Sequence, residues 1–395
     1  MVLLTERPGA ERGLVRRAGW YAALVFVALR AGLSLLGLTV GHFTQNAPPV
    51  VPIPSPAASA GLHNLWDGLN RFDARWFTFI AQHGYDPGRA AGSAAFFPLY
   101  PLLIRALDAI PGIGALGAAV IVSNVSFYGA LVALYVLTTH EIGEADARRT
   151  VVVLATFPTA FFFLAPFSES LFLVLTLLAF ASVRAERWIR GGALGAAAAA
   201  TRQIGIVLVP AFMVEAWQRR DRTEPGRRWL PWVGSLAVVL GPALYLAWWG
   251  VHAHDLTAPM QAEHLWNRQL AFPLTTLGRG FAQALLGLHR PDGGYWISEF
   301  GLTAVVIAGT VTVLRKVAPS YLVYAACSIL VPLTYPSLLG RDLFSMSRFV
   351  IVIFPAFWGI AYWCRHRIVY VTWLLVSIPL LAWHTILFMH WRYIY

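Results

Sequence analysis

The chain has 395 residues, of which 58% are hydrophobic and only 12% are charged, and its mean hydropathy is +0.61. A soluble protein of this length carries far more charge on its surface, so the composition excludes an ordinary soluble protein. The net charge of +11 comes from basic residues in short clusters between apolar blocks, which is typical of cytoplasmic loops and not of nucleic-acid binding. The sequence therefore predicts an all-α polytopic membrane protein, organised as a single domain over residues 1–395, with membrane lipids and no nucleic acid as partners.

Basic clusters set the orientation of the predicted helices, because such clusters stay on the cytoplasmic side of a membrane. The apolar run after the first cluster is too long for a cleaved signal peptide, so it predicts an uncleaved first helix with a cytoplasmic N-terminus. The clusters assigned to the cytoplasmic side are 12–17, 184–190, 219–228, 315–316 and 365–367, with a weaker pair at 148–149.

The first predicted helix runs from Trp20 to Val40, and Arg30 near its middle is expected to face the bundle interior. A long extracytoplasmic stretch, 41–112, follows and opens with a Pro-rich linker. Its segment 96–107 is short and contains two prolines and an arginine. If it crossed the membrane, the clusters at 148–149 and 184–190 could not both be cytoplasmic. It is therefore predicted as a helix in the membrane interface.

Further apolar blocks predict about eleven membrane-spanning helices in total. Residues 191–228 begin and end in cytoplasmic clusters, so they are predicted as two short helices that meet outside at Arg202. An arginine at the membrane centre would cost several kcal/mol, which disfavours one long helix there. A second extracytoplasmic loop is predicted at 250–298. The remaining predicted spans are 116–138, 151–166, 171–183, 232–249, 300–314, 321–335, 349–363 and 369–388.

Neither a metal nor a cofactor is predicted. Cys327 and Cys364 are the two cysteines, and both lie in or beside apolar blocks, which indicates neither a disulfide framework nor a metal site. The chain contains no HExxH motif, no His/Cys cluster and no Gly-rich nucleotide-binding loop. A sugar donor for this protein is therefore not expected to be a nucleotide sugar.

Asp73 is the main candidate for chemistry, because it lies in a run of aromatic and polar residues in the first outside stretch. On a helix it is the i, i+3 neighbour of Trp76. A carboxylate beside aromatic rings at a membrane surface suits a general base that acts near a sugar ring. The alternative is that Asp73 only pairs with Arg71 or Arg75 in a solvated interfacial helix.

Three further charged residues are predicted at outside ends of helices. Glu169 lies at a turn between two helices, with a helix cap as the alternative role. Arg202 lies at the turn described above, with snorkelling to water as its alternative. Arg348 flanks the outside start of a predicted helix. A guanidinium there matches the oxygens of a lipid phosphate.

The second outside stretch adds residues that suit carbohydrate or head-group binding. The residues of this kind there are Gln261, Glu263, His264, Trp266, Asn267 and Arg268, and Gln261, His264 and Trp266 are the candidate binding residues. A lone histidine such as His264 more often has a structural role than a ligand-binding one.

Three groups of residues together carry a family resemblance. The first is Arg71-Phe72-Asp73-Ala74-Arg75-Trp76-Phe77, with Ile80-Ala81, Gly84-Tyr85 and Phe96-Phe97-Pro98. The second is Phe157-Pro158 with Phe167-Ser168-Glu169-Ser170-Leu171-Phe172, and the third is Thr201-Arg202 with Gly205. They resemble the PIG-V family of GPI mannosyltransferase 2-like enzymes, which has bacterial relatives. Phe72 stands where the family's tryptophan is expected, and this difference keeps an aromatic ring.

The resemblance implies a GT-C-type glycosyltransferase fold with its site at the outer face of a bacterial cytoplasmic membrane. By motif position, Asp73 is the catalytic carboxylate. The implied reaction is inverting mannosyl transfer from a polyprenyl-phosphate donor to a lipid or glycan acceptor, with Arg348 and Arg202 on the donor phosphate. A bacterium has no GPI anchor, so the acceptor is not carried over. The residues expected to bind acceptor or sugar are Trp66, Asp67, Trp76, Glu169, Gln261, His264 and Trp266.

Two other functions remain open from the sequence. A transporter or flippase for a lipid-linked sugar would also hold a basic outside pocket, but it should carry charges at mid-membrane. Nearly all charges map to predicted helix ends, with Arg30 as the main exception, which favours the enzyme. The third option is a non-catalytic subunit that binds another transferase.

Overall fold

The computed structural model describes residues 8–40, 68–85, 91–222, 224–264, 268–289, 293–337 and 342–392. Within these ranges the regular structure is helical, apart from an isolated antiparallel bridge between Arg268 and Ser337. The prediction of an all-α protein is confirmed. Of the two predicted outside loops, residues 41–67, 86–90, 265–267 and 290–292 lie outside these ranges.

The described α-helices are numbered in chain order. They are α1 Pro8–Val40, α2 Asp73–His83, α3 Leu99–Asp108, α4 Gly114–Ile142, α5 Glu144–Ala155, α6 Glu169–Arg184, α7 Trp188–Ala199, α8 Leu208–Arg219, α9 Leu230–Ala237, α10 Leu240–His252, α11 Ala258–His264, α12 Pro273–Gly287, α13 Gly293–Thr312, α14 Pro319–Thr334, α15 Met346–Val350, α16 Phe354–Trp363 and α17 Arg367–Met389. Short 3₁₀ turns occupy Ala91–Ala95, Ala160–Phe163, Gln203–Val207 and Pro225–Arg227.

Several of these helices have the length and apolar character needed to cross a bilayer. Among the described residues, α1, α4, α13 and α17 each qualify, which gives four spans. The segments Pro225–Ala237 and Leu240–His252, which contain α9 and α10, qualify together as one bent span, which gives five. The chain is thus a multi-pass membrane protein. The predicted total of about eleven is not confirmed, because helices such as α6 and α14 have only 16 residues each, whereas a straight span needs about 20.

Three of the predicted spans are interrupted, two of them next to a proline. The block 151–166 is α5 up to Ala155 followed by a 3₁₀ turn, since Pro158 lacks the N–H that continues a helix. The block 349–363 is split into α15 and α16, with Pro355 in the first turn of α16. The block 232–249 is split into α9 and α10, which are bent by 50°. Single continuous helices were wrong at these three places.

Two other predictions about local structure are confirmed. Segment 96–107 contains the 10-residue helix α3, which is too short to span a bilayer and packs on α2 and α4. Its location in the membrane interface stays a prediction. Residues 191–228 form two short helices, α7 and α8, joined by a turn that starts at Arg202.

A glycine pair allows α13 and α16 to cross in close contact. A Cβ on Gly359 would overlap the carbonyl of Gly309, so both positions need a residue without a side chain. This crossing fixes the helix that carries Glu299 next to the chain that follows α15.

Helix α6 joins two charged regions of the molecule. Glu169 is its first residue and Arg184 its last. At a helical rise of 1.5 Å per residue, these two residues lie about 22 Å apart along the helix axis. Most charged contacts of the described bundle gather near one end of α6 or the other, as the sequence predicts for a membrane protein.

Candidate active site

Asp73 is the first residue of α2, and its position depends on an unusual turn. Phe72, just before it, has φ of 50°, a backbone conformation that is costly for a bulky residue. The Phe72 ring packs on Phe388 and Trp391 at the end of α17, with ring centroids 5.3 and 4.9 Å away. Tertiary packing therefore holds the strained turn that presents the Asp73 carboxylate, which keeps 19% of its surface exposed.

Arg348 is the ion-pair partner of Asp73, although the two are 275 positions apart in the chain. Its Nη1 donates to Asp73 Oδ2 at 2.5 Å, and its Nε lies 2.9 Å from Glu169 Oε1. Arg71 and Arg75, the neighbours proposed as alternative partners of Asp73, stack on the Trp391 ring. One guanidinium thus bridges the carboxylates of α2 and α6.

Glu169 is completely buried and also receives Arg202. Arg202 Nη1 donates to Glu169 Oε1 at 2.5 Å and to Ser168 Oγ at 3.2 Å. The Arg202 side chain is only 11% exposed, so it does not snorkel to water. The Glu169 carboxylate holds two arginines rather than capping α6, because no side-chain cap bond is made at the start of that helix.

The second loop brings a third arginine and a third carboxylate to the same place. Arg268 Nε lies 4.0 Å from Glu263 Oε2, and Gln203 Nε2 donates to Glu263 Oε1 at 3.3 Å. Arg268 is held by the bridge to Ser337 and by a bond from its Nη1 to the Tyr335 carbonyl at 3.1 Å. We name Asp73, Glu169, Glu263, Arg202, Arg268 and Arg348 the site cluster.

Aromatic rings surround the guanidinium groups of the site cluster. The centroid of the Phe349 ring lies 6.0, 5.3 and 5.5 Å from the guanidinium carbons of Arg202, Arg268 and Arg348, respectively. Arg348 also lies over Phe167 at 5.3 Å. These rings favour cations and exclude water, which strengthens every electrostatic interaction within the cluster.

Burial alters the pKa values at three positions of the cluster. It lowers the pKa of Arg202 and of Arg268, and it raises the pKa of Glu263 even though Arg268 opposes that shift. An arginine stays charged at neutral pH, so its lowered pKa expresses a desolvation cost that a bound anion would offset. The cluster is therefore suited to an anionic ligand.

One carboxylate oxygen of the cluster has an unmet hydrogen-bonding capacity. Glu169 Oε2 is buried, and no residue among those that the structure describes donates to it. Buried polar atoms almost always have a partner, so this oxygen is a candidate acceptor for a hydroxyl group of a ligand.

Glu299 fixes the short helix that carries Arg348. It is fully buried, and its two oxygens accept bonds from the Ser347 backbone N–H at 2.7 Å and the Ser347 hydroxyl at 2.6 Å. Thr159 Oγ1 donates to the Ser347 carbonyl at 3.1 Å. Glu299 was not predicted from the sequence, because a single glutamate in an apolar helix indicates a partner without indicating which one.

Arg268 and Glu263 were predicted only as part of the polar run around His264, and Phe349 was not predicted. Nothing in the spacing of Arg268 and Glu263 indicates that they face Asp73. Phe349 follows Arg348 directly, and an aromatic residue at a membrane helix end is too common to be a signal.

The structure places the remaining predicted site residues as follows. Trp76 is 5% exposed and stacks on Phe96 with centroids 5.6 Å apart, so one face of its ring is covered by protein. Gln261 and His264 lie exposed on α11, and Gln261 bonds to Thr257. Their contact with a sugar stays a prediction. Trp66, Asp67 and Trp266 lie outside the described residues.

Within the described ranges, no group of three or more His, Cys, Asp or Glu side chains could hold a metal ion.

The fold is of the GT-C type. The structure resembles the crystal structure of ArnT from Cupriavidus metallidurans bound to undecaprenyl phosphate, with a TM-score of 0.51 at 14% sequence identity. The likeness covers 88% of this chain and 62% of that one. At this identity it shows the fold alone, and it confirms the predicted fold class.

The predicted family resemblance is confirmed as well. Residues 42–220 match the model of the family described as Mannosyltransferase (PIG-V). GPI alpha-1,6-mannosyltransferase 2 of Mus musculus is 30% identical over 176 residues, 42% of this chain and 35% of that protein. The Homo sapiens protein is 27% identical over 182 residues, which are 44% of this chain and 36% of that protein.

The chain spans about a third of the length of these curated relatives. The PIG-V match includes Asp73, Glu169 and Arg202, whereas Arg268 and Arg348 lie beyond it.

Proposed function

We propose that this protein is a membrane mannosyltransferase. It transfers mannose with inversion from polyprenyl-phosphate-mannose to an acceptor hydroxyl on a lipid or glycan, and Asp73 is the general base. The observation that carries this proposal is the bridge from Asp73 through Arg348 to Glu169 and Arg202. It joins the partly exposed carboxylate of the PIG-V motif to a buried group of cations.

Asp73 acts on the acceptor. Its carboxylate accepts the hydroxyl proton while the acceptor oxygen attacks the anomeric carbon of mannose. The bond between that carbon and the phosphate oxygen breaks, and polyprenyl phosphate leaves with the electron pair. General-base catalysis of this kind contributes about 10²–10⁴-fold to the rate.

The arginines act on the donor. Arg348 and Arg202 hold the phosphate, and Arg268 from the second loop adds a third guanidinium around the same Phe349 ring. Preorganised cations in a site with little water stabilise the negative charge that develops on a leaving phosphate. The fold neighbour ArnT, whose crystal structure contains undecaprenyl phosphate, supports a donor of this class. Glu169, through its unpartnered Oε2, orients the acceptor.

The proposal includes a sidedness. The site cluster faces the extracytoplasmic side of a bacterial cytoplasmic membrane, and the N-terminus lies in the cytoplasm. Support comes from the basic clusters that the sequence assigns to the cytoplasm, since Arg17, Arg184, Arg219 and Arg365 all contact carboxylates at the Arg184 end of the bundle.

The test uses purified protein in detergent with synthetic polyprenyl-phosphate-mannose and a membrane extract as acceptor. Asp73→Asn should lower transfer about 10²–10⁴-fold without changing the melting temperature. Asp108→Asn, the same change at the end of α3, should leave transfer intact. Wild-type transfer by folded Asp73→Asn would remove the base assignment.

The same assay separates the enzyme from a carrier. Detergent abolishes sidedness, so a transporter or flippase would bind the donor without transferring or hydrolysing its mannose. Donor binding by wild-type protein with neither reaction would contradict the proposed function.

A further inference from the structure

A cleft of about 510 Å³ opens at the Arg184 end of α6, far from the site cluster. It lies between α1, α5 and the start of α17. Its lining residues are Tyr21, Glu144, Ala145, Arg148, Arg149 and Tyr370. The cleft shares no residue with the proposed mannosyltransferase site, so an inference about it stands independently of that function.

Positive charge exceeds negative charge around the cleft. Glu144 is shared by Arg17, with Nε 3.1 Å from Oε1, and by Arg148, with Nη2 3.4 Å from the same oxygen. Asp146 is likewise shared by Arg149 at 2.9 Å and by Arg365 at 2.5 Å. Four arginines therefore face two carboxylates, which leaves two positive charges at an open surface.

Arg148 is the guanidinium most available to a ligand. Its side chain is 55% exposed, and its hydrogen bond to the Tyr135 hydroxyl, at 3.3 Å, is long for a charged donor. Glu144 keeps Arg17 and the Tyr135 hydroxyl, at 2.7 Å, as partners whether or not Arg148 is engaged. Arg148 can therefore turn to an anion without leaving a carboxylate unpaired.

Exposed apolar side chains lie near the cleft on the two membrane-length helices that border it. On α1 and α17 these residues lie within one or two turns of Tyr21 and Tyr370. They are Trp20, Leu24, Val27, Ile368, Val371 and Leu375. The cleft thus combines a cationic head site with an apolar surface of the kind that covers an acyl chain.

We propose that this cleft binds the phosphate of an anionic phospholipid, with Arg148 and Arg149 on the phosphate oxygens and the acyl chains against α1 and α17. Guanidinium groups donate paired hydrogen bonds to phosphate oxygens. Basic pockets between membrane helices recognise such head groups. A soluble phosphate compound would leave the apolar strip uncovered, so the lipid fits the surface better.

The test is lipid titration of the delipidated full-length protein in detergent, followed by native mass spectrometry. Wild type should bind phosphatidylglycerol in preference to phosphatidylcholine with the same acyl chains. Arg148→Gln should weaken phosphatidylglycerol binding about fivefold, the contribution of one basic residue near a membrane surface. Arg190→Gln is the matched control, because it removes the same charge from an exposed position on α7.

The outcomes distinguish a specific lipid-binding site from non-specific electrostatic attraction of anionic lipid. Equal binding of the two lipids, or an equal loss in Arg148→Gln and Arg190→Gln, would overturn the proposal. Binding of inorganic phosphate as tight as that of phosphatidylglycerol would overturn the assignment to a lipid. If Arg148→Gln is poorly folded, Arg148→Lys keeps the charge but loses the paired donors, and it should give a smaller loss of the same selectivity.

Discussion

Both ends of α6 hold several buried charged side chains, but the two ends differ in how completely their carboxylate oxygens are paired. At one end, Arg184 joins Glu141 at 2.9 Å and Glu215 at 2.8 Å. Glu215 also receives Arg219 at 2.7 Å and the Ser320 hydroxyl at 2.6 Å. At the other end, the site cluster leaves Glu169 Oε2 without a donor. Buried carboxylates that are engaged on both oxygens hold helices together, whereas a buried carboxylate oxygen without a donor marks a place for a ligand.

The largest expected effect is on stability, at the Arg184 end. Arg184→Met should lower the free energy of unfolding by about 3–5 kcal/mol, because it leaves the buried Glu141 and Glu215 carboxylates with fewer partners. Thermal unfolding of purified protein in detergent measures the change. Arg190→Met, an exposed arginine on the next helix, is the control. If both variants melt at the same temperature, the ion pairs of Arg184 do not stabilise the helix bundle.

The next effect concerns the anchor of Arg348. Glu299→Gln should lower the free energy of unfolding by about 1–3 kcal/mol, because it replaces hydrogen bonds to a charged carboxylate by weaker neutral ones and makes the Ser347 hydroxyl accept instead of donate. Since α15 would shift, transfer should fall together with donor affinity. Glu299→Asp keeps two acceptor oxygens and should recover part of both. Loss of stability with unchanged transfer kinetics would limit Glu299 to a purely structural role.

A smaller effect is expected at Arg268, on the affinity for the donor and not on stability. Arg268→Gln should raise the Kd for a polyprenyl-phosphate donor about tenfold, the equivalent of one charge-assisted hydrogen bond. The melting temperature should change little. Arg279→Gln removes an exposed arginine on α12 and should leave the Kd unaltered. A normal Kd in Arg268→Gln would exclude this residue from the phosphate site.

The smallest effect is a pH dependence at Glu263. Burial raises its pKa in the folded protein, so the folded state holds the proton more tightly than the unfolded chain. Stability should therefore fall as pH rises from the ordinary glutamate pKa of 4.5 through the higher folded value. Glu263→Gln should flatten the melting temperature over that window in the absence of donor. A wild-type pH profile in the variant would show that Glu263 does not contribute.

The motif residues of the site could be predicted from the sequence, but their partners could not. Asp73, Glu169 and Arg202 follow from the PIG-V motifs and from the turn between two short helices. The contact of Asp73 with Arg348 spans 275 positions, and no local pattern reports such a distance. Trp76 was expected near a sugar, but the chain that leads into α3 places Phe96 against it.

Hydropathy predicted where the apolar segments lie, but it did not predict where the helices within them are interrupted. An average over about 18 residues passes through Pro158 and Pro355 without registering that proline lacks the N–H group that a helix interior needs. The bend between α9 and α10 is not visible in such an average either. The helix ends that position the site are therefore features of backbone chemistry that hydrophobicity alone does not describe.

The two contacts of Arg348 have a consequence for how donor and acceptor influence each other's binding. Arg348 holds Asp73 Oδ2 and Glu169 Oε1 at the same time. Under the proposed function, a donor phosphate that draws this guanidinium toward itself releases both carboxylates for the acceptor. We therefore expect donor and acceptor to bind cooperatively through one side chain, each raising the affinity of the other by the same factor, as thermodynamic linkage requires.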